Sequence, residues 1–175
     1  NGGVMWLEIN RHILNWNQRQ IEILCILALH PYGIGLDELH YALYGERNVS
    51  IKTLKAELSQ LRSLLPHCIE ARIYKLTCEV QCDFVRAEQS LNANLIASTF
   101  SLYKGSFLSK SESPLLSTWR HCFDARLSQL IYQIKDIDQL LRIIGQTHDR
   151  IDAVQRLLEL LPQDSIHRNY FSNLI

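Results

Sequence analysis

Four side chains that can donate hydrogen bonds recur at helical spacing near the middle of the chain: Lys52, Lys55, Ser59 and Arg62. At roughly 100° per residue they fall on one stripe of an α-helix. Ammonium, guanidinium and hydroxyl groups can bind phosphate oxygens or the edges of bases. The pattern therefore indicates a helix face that binds nucleic acid, with an ordinary solvated face as the alternative.

A helix over residues 50–65 is needed to hold this stripe. Its apolar positions form a neighbouring stripe: Leu54, Leu58, Leu61 and Leu65. Ser50 suits the N-cap, because its hydroxyl can accept a hydrogen bond from the first helical turn. We therefore expect the leucine stripe to enter a core and the basic stripe to stay exposed.

The segments on either side predict a winged helix-turn-helix. Upstream, residues 36–44 follow a helical pattern that ends at Gly45, a residue suited to a C-cap. Two helices joined by a short turn are typical of the helix-turn-helix, whose second helix enters the DNA major groove. Downstream, I-E-A-R and Y-K-L-T within residues 68–80 predict the two strands of a hairpin wing.

The N-terminal segment predicts a small β-sheet followed by a long helix. Residues 4–10 and 12–16 are apolar and β-prone, with a turn expected at residues 10–11. Asn17 and Gln20 have the spacing of a capping box, which marks a helix start. His-Pro-Tyr-Gly at residues 30–33 ends that helix, which we interpret as core support for residues 50–65.

These motifs resemble the DNA-binding domain of OmpR/PhoB-type response regulators. The family pattern is S-x-R-T-V-D-x-H-I-S-x-L-R-x-K-L in the recognition helix and R-G-Y-R-L at the end of the wing. The matching positions here are Ser50, Lys52, Thr53, Leu54, Leu58, Ser59, Leu61, Arg62 and Leu65, then Arg72, Tyr74, Lys75 and Leu76. The chain departs from the pattern at Lys55, Glu57, Leu64 and Ile73.

The resemblance implies that residues 50–65 lie in the major groove of double-stranded DNA, where Thr53 would contact a phosphate. Arg72, at the wing tip, suits a narrow minor groove, with an exposed hairpin charge as the alternative. The loop at residues 45–49 would contact RNA polymerase or serve as a plain connector. The predicted DNA-binding residues are Lys52, Thr53, Lys55, Ser59, Arg62, Arg72 and Lys75.

The second half of the chain predicts paired amphipathic helices, as in tetratricopeptide-like repeats. The helical patterns cover residues 83–91, 94–103, 115–144 without a break, 149–161 and 165–175. L-Y-K-G-S-F-L at residues 102–108, Trp119-Arg120, Arg126 and residues 152–164 resemble the bacterial transcriptional activation domain. That domain follows an OmpR-like winged helix in antibiotic-regulatory proteins. Tyr103 and Trp119 predict helix packing, or alternatively a groove for a partner helix.

Composition and charge limit the other classes of function. The formal net charge is zero, so only the basic patch within residues 50–75 favours nucleic acid. No apolar run approaches the ~20 residues of a membrane span, and we expect a cytoplasmic protein without membrane contact. The five cysteines lack a framework spacing and indicate reduced thiols. Cys78 and Cys82 with His67 have poor spacing for zinc.

Motifs for catalysis are missing from the chain. S-x-x-K at residues 101–104 lacks its companion motifs, and H-E-x-x-H, G-x-S-x-G and a phosphate-binding glycine loop do not occur. We therefore expect no enzyme activity, no cofactor and no metal.

The sequence as a whole predicts an α+β, mostly α, chain. A winged helix-turn-helix domain with a small N-terminal β-sheet and a β-hairpin wing would span residues 4–80, and a tetratricopeptide-like helical domain residues 82–175. The predicted function is the effector part of a bacterial transcription regulator, with the repeats serving homodimerisation or partner contact. The alternative is a protein-interaction module that does not bind DNA, which the neutral charge, Glu57 and Ile73 favour.

Overall fold

A computed structural model describes residues 7–9, 12–13, 16–147 and 149–175. Over these residues the protein is mostly helical, with two small antiparallel sheets. The strands are β1 (Leu7–Ile9), β2 (His12–Ile13), β3 (Ile69–Ala71), β4 (Tyr74–Leu76) and β5 (Val80–Cys82). The helices are α1 (Gln18–Leu29), α2 (Leu36–Tyr44), α3 (Ile51–Leu64), α4 (Asp83–Asn92), α5 (Ile96–Leu102), α6 (Pro114–Gln133), α7 (Ile137–Gln146), α8 (Ile151–Leu160) and α9 (Ile166–Ser172).

The chain divides into two compact units, and over the described residues the divisions fall within α4, between Phe107 and Leu108, and within α6. The first unit contains the described residues up to Val85 and also residues 108–120. The second contains residues 86–107 and 121–175. The predicted domain boundary at residues 80–82 falls within β5 and stays a prediction.

Helices α1, α2 and α3 pack against one another and form the core of the first unit. The buried side chains of α3 are those predicted from the leucine spacing, Leu54, Leu58 and Leu61, and Leu65 beyond the helix end is also buried. Both predicted helix starts are confirmed. The Asn17 side chain and Gln20 form a reciprocal capping box, and the Ser50 hydroxyl accepts from the Thr53 N–H.

Two sheets border these helices. Strand β1 pairs antiparallel with both β2 and β5, with Glu8 opposite Ile13 and Gln81. The hairpin β3–β4 pairs Ile69 with Leu76 and Ala71 with Tyr74. The predicted turn at residues 10–11 and the start of the first predicted strand, residues 4–6, lie outside the described residues. Sequence reasoning missed β5, which follows the hairpin directly.

Residues 108–120 belong to the first unit because specific hydrogen bonds hold them there. The Ser111 hydroxyl donates to Glu22 Oε1 at 2.7 Å, and the Ser113 hydroxyl donates to the Ala42 carbonyl at 2.7 Å. Ser113 Oγ also accepts from the Leu116 N–H at 3.3 Å, so it caps α6. These contacts fix the start of α6 beside α1 and α2.

The second unit is built from helices α5, α7, α8 and α9 and the later parts of α4 and α6. Within it, α7 packs on α8 and α8 packs on α9. Tyr103, Phe107 and Phe123 form a buried aromatic cluster with ring centroids 5.6–6.3 Å apart. The packing role predicted for Tyr103 is therefore confirmed.

The predicted continuous helix at residues 115–144 is wrong. Helix α6 ends at Gln133, and α7 begins after Asp136, whose carboxylate accepts from the Asp138 and Gln139 N–H groups. Gly145, the predicted end, lies inside α7. The apolar pattern runs on across the break through Ile134 and Ile137, and this continuity concealed the N-cap.

Among the described residues, no helix combines the length and apolar character that crossing a membrane requires.

Candidate nucleic-acid interface

The predicted contact residues of α3 lie on its exposed side. Lys52, Thr53, Lys55, Ser59 and Arg62 are all exposed. Among the described residues, none of the three cations takes part in an ion pair. The helix therefore presents three cations without an ion-pair partner and the Ser59 hydroxyl on one stripe, and this stripe can bind an anion.

Thr53 sits differently from the other four. It lies about 100° around the helix from Lys52. Its hydroxyl is 3.2 Å from the Ser50 hydroxyl, within the N-cap of α3. The backbone of Thr53 also donates to Ser50, so this residue anchors the helix start. A phosphate bound there would meet the positive end of the helix dipole.

Glu57, the acidic residue of α3, points away from the basic stripe. It lies about 200° around the helix from Lys55. Its Oε2 is buried without a hydrogen-bond partner among the described residues, and its charge acts on Tyr44. Burial, and to a smaller extent the Glu57 charge, raises the pKa of Tyr44. Glu57 therefore leaves the charge of the stripe largely intact.

Hydrogen bonds and an ion pair hold the turn before α3, and sequence reasoning missed them. Arg47 donates to the Leu43 carbonyl at 2.9 Å and to the Tyr44 carbonyl at 3.1 Å, which caps the end of α2. It also pairs with Glu112 at 3.0 Å. His40 Nε2 lies 2.6 Å from the Val49 carbonyl oxygen. These contacts fix the angle at which α3 leaves the loop at residues 45–49.

Gly45 permits this turn sterically. Its φ is +58°, in the region that favours glycine, and a Cβ there would lie 3.0 Å from Pro114 Cγ. Gly45 is the C-cap of α2 as predicted, but its ψ of −131° lies outside the left-handed helical region expected for such a cap.

The hairpin carries the other two predicted residues. Arg72 lies in the exposed turn between β3 and β4. Lys75 is half-buried in β4 and lies directly across from Glu70 in β3, so residues of opposite charge are cross-strand neighbours. The structure therefore brings five predicted residues onto α3 and leaves Arg72 and Lys75 on a separate element.

A backbone bridge ties the hairpin to the segment between α1 and α2. The N–H and carbonyl groups of Ile34 and Tyr74 exchange two hydrogen bonds of 2.9 Å. Gly33 has a φ of +96°, and a Cβ there would clash with the Ile73 side chain. Helix α1 packs on both α3 and β4, so α3 and the hairpin are held by the same helix.

Metal ligands are not grouped in the described part of the chain, where no cluster of three or more His, Cys, Asp and Glu residues occurs. The cysteines are free thiols: Cys25, Cys68 and Cys82 are buried, Cys78 is half-buried and Cys122 is exposed. Burial and the neighbouring Cys68 raise the pKa of the Cys78 thiol to about 12. A thiol with so high a pKa is a poor metal ligand near neutral pH.

No protein-family model matches this chain. The chain is 30% identical, over 139 residues, to an uncharacterized 47.3 kDa protein in the thcA 5' region of Rhodococcus erythropolis. The matched stretch covers 79% of this chain and 32% of that protein. The chain thus spans about a third of the length of this relative.

Proposed function

We propose that this chain is the DNA-binding part of a bacterial transcription regulator. In this proposal α1–α3 and the β3–β4 hairpin form an OmpR-like winged helix-turn-helix, and α3 is the recognition helix. Its stripe of Lys52, Lys55, Ser59 and Arg62 meets phosphates and base edges in the major groove. Thr53 contacts a phosphate at the helix start, and Arg72 and Lys75 contact the adjacent backbone or minor groove.

The observation that carries the proposal is the exposed, unneutralised basic stripe on the second helix of a helix-turn-helix. A helix at this position is the one that such proteins insert in the major groove. Arg47 and His40 support the same reading, because they brace the turn that sets the direction of α3. A precisely held helix reads base edges better than a mobile one.

The helical region has a separate proposed role. We assign it to a tetratricopeptide-like domain of the kind found in bacterial transcriptional activation domains, serving homodimerisation or contact with a partner such as RNA polymerase. The stacking of α7 on α8 and of α8 on α9 supports this assignment.

The loop at residues 45–49 is a second proposed polymerase contact, through Glu46 and Asn48, which are exposed. The proposed regulator is cytoplasmic and has no enzyme activity or cofactor.

A protein-interaction module that does not bind DNA is the second candidate. Two observations favour it: the pairing of Lys75 with Glu70 across the hairpin, and the 55% exposed apolar side chain of Ile73 at the hairpin tip. The zero net charge of the chain agrees with this alternative.

A fluorescence-anisotropy titration distinguishes the two candidates. The chain is titrated against labelled mixed-sequence duplex DNA at low and at moderate salt. DNA binding through the stripe predicts an affinity that falls steeply as salt rises, because each phosphate contact releases counterions. A folded sample that leaves the duplex free at low salt would contradict DNA binding and favour the interaction module.

A further inference from the structure

An open groove of about 970 Å³ lies between α2 and the start of α6, within the first unit. Apolar side chains line much of it: Ile34, Tyr41, Ala42, Leu115 and Trp119. Tyr41 is 62% exposed, and the Trp119 ring packs edge-on against Phe84 at 5.0 Å between centroids. We call this surface the α2–α6 groove. Contiguous exposed apolar surface on a soluble protein usually marks a site where a partner binds.

Two carboxylates lie at one side of the groove. Asp37 and Glu38, in the first turn of α2, line it and are both exposed. Among the described residues neither carboxylate takes part in an ion pair or a hydrogen bond. An apolar wall beside two unpaired acids complements a ligand with an apolar side and a basic side.

The groove is built from rigid parts. The Ser113 hydroxyl bonds to the Ala42 carbonyl at 2.7 Å, which joins α2 to the start of α6. Ile34, which also lines the groove, is held by the two backbone hydrogen bonds that it exchanges with Tyr74. A preformed groove limits the ordering cost of binding.

The groove shares no lining residue with α3 or with the hairpin. The groove and the basic stripe of α3 are therefore separate surfaces.

We propose that the α2–α6 groove binds a short amphipathic helix of a partner protein, with an apolar face and at least one Lys or Arg. The apolar face packs on Ala42, Leu115 and Trp119, as in other helix-in-groove complexes. The basic side chain pairs with Asp37 or Glu38 at the rim. This binding site is independent of the proposed DNA contact, and its test does not require DNA.

The probe is a phage-displayed library of short amphipathic helices, in which the flanking positions carry Lys or Glu with equal frequency. The library is selected against the whole chain, and the strongest binder is labelled and titrated by anisotropy. We expect Lys to be enriched over Glu in the selected helices.

Two variants map the selected helix, each with a matched control. Thr118→Trp fills the groove from an exposed position and should weaken binding by at least about tenfold. Ser98→Trp places the same side chain at an exposed position on α5 and should leave binding unchanged.

Asp37→Asn with Glu38→Gln should weaken binding by roughly two- to fivefold and reduce its salt dependence, as expected for rim charges. Asp138→Asn with Asp164→Asn removes two exposed carboxylates away from the groove and is the control for that change.

Three results would overturn the proposal. One is a selected helix whose affinity is the same for Thr118→Trp and the unchanged chain. Another is a preference for Glu over Lys at the flanking positions. The third is self-association of the chain, measured by sedimentation, that Thr118→Trp abolishes, because the groove would then belong to a second copy.

Discussion

At the scale of single residues, this chain uses its charges in two ways. Lys52, Lys55 and Arg62 are exposed and unpaired, so they contribute little to folding and are available to a ligand. Arg150 is buried and surrounded by polar partners in the second unit, so it serves stability. The difference lies in burial and pairing, which a residue type alone does not reveal.

Arg150 joins three segments of the second unit. Its guanidinium forms ion pairs with Asp124 and Asp152 and donates to the Ser128 hydroxyl at 2.8 Å. It also lies 5.9 Å from the centre of the Tyr103 ring. Interactions with Asp152 and Asp124 raise the pKa of Arg150, although burial opposes them. The cation therefore stays charged.

Replacing Arg150 with Ala should lower the free energy of unfolding by about 2–4 kcal/mol, less than for a fully buried pair because Asp124 remains partly hydrated. The loss arises because Asp124 and Asp152 would lose their ion pairs, although Asp152 would keep the hydrogen bond that Ser128 donates. Urea unfolding followed by circular dichroism measures the change. Arg142→Ala, at an exposed position of α7, is the control and should change stability by less than about 0.5 kcal/mol. Equal stability of the two variants would contradict a structural role for Arg150.

The cysteines should differ sharply in their reaction with iodoacetamide at pH 9. With its pKa raised to about 12, the Cys78 thiol would be ionised in roughly one molecule in a thousand at that pH. Cys122 is exposed and should be alkylated first. Peptide mass spectrometry after short exposure gives the order, and adding urea should make Cys78 react. Rapid labelling of Cys78 in the folded chain would contradict this prediction.

At the scale of elements, the sequence revealed those features of the fold that depend on near neighbours in the chain. The capping box of α1, the Ser50 cap and the leucine stripe of α3 each involve residues three or four positions apart. Features that join distant segments were missed, such as the pairing of β5 with β1 and the bond from Ser111 to Glu22. No local pattern reports a partner 89 residues away.

The same limit applies to the candidate interface. The stripe on α3 was predictable because helical spacing alone places its members together. The ion pair of Arg47 joins it to Glu112, 65 residues away, and the position of Glu70 opposite Lys75 depends on hairpin register. The helix break at residues 134–136 did have a local signal, the Asp136 cap, which the continuous apolar pattern outweighed.

Replacing Ser111 with Ala should destabilise the first unit by about 1–3 kcal/mol, because Glu22 is only 2% exposed and would lose a hydrogen-bond donor. Glu22 would keep its ion pair with Arg19. Thermal unfolding measures the effect. Ser101→Ala removes an exposed hydroxyl that bonds the Ser98 carbonyl, and it should have little effect. If both variants unfold at the temperature of the unchanged chain, residues 108–120 are held by other contacts.

At the scale of the whole molecule, the zero net charge means that long-range attraction to DNA is weak. Affinity must then come from the local stripe on α3 and from contacts on the hairpin. Non-specific binding should accordingly be modest and should disappear at moderate salt. Tight binding would require a specific site, or two copies of the chain on adjacent sites.

The most direct test of the central proposal compares two double variants in a DNA titration at several salt concentrations. Lys52→Ala with Lys55→Ala removes two cations from the stripe. Lys104→Ala with Lys110→Ala removes two exposed cations elsewhere, so its net charge equals that of the first double variant. We predict that the first variant loses roughly tenfold in affinity at low salt and about two units of salt slope, whereas the second binds like the unchanged chain. Indistinguishable titrations for the two variants would contradict the assignment of α3 as the recognition helix.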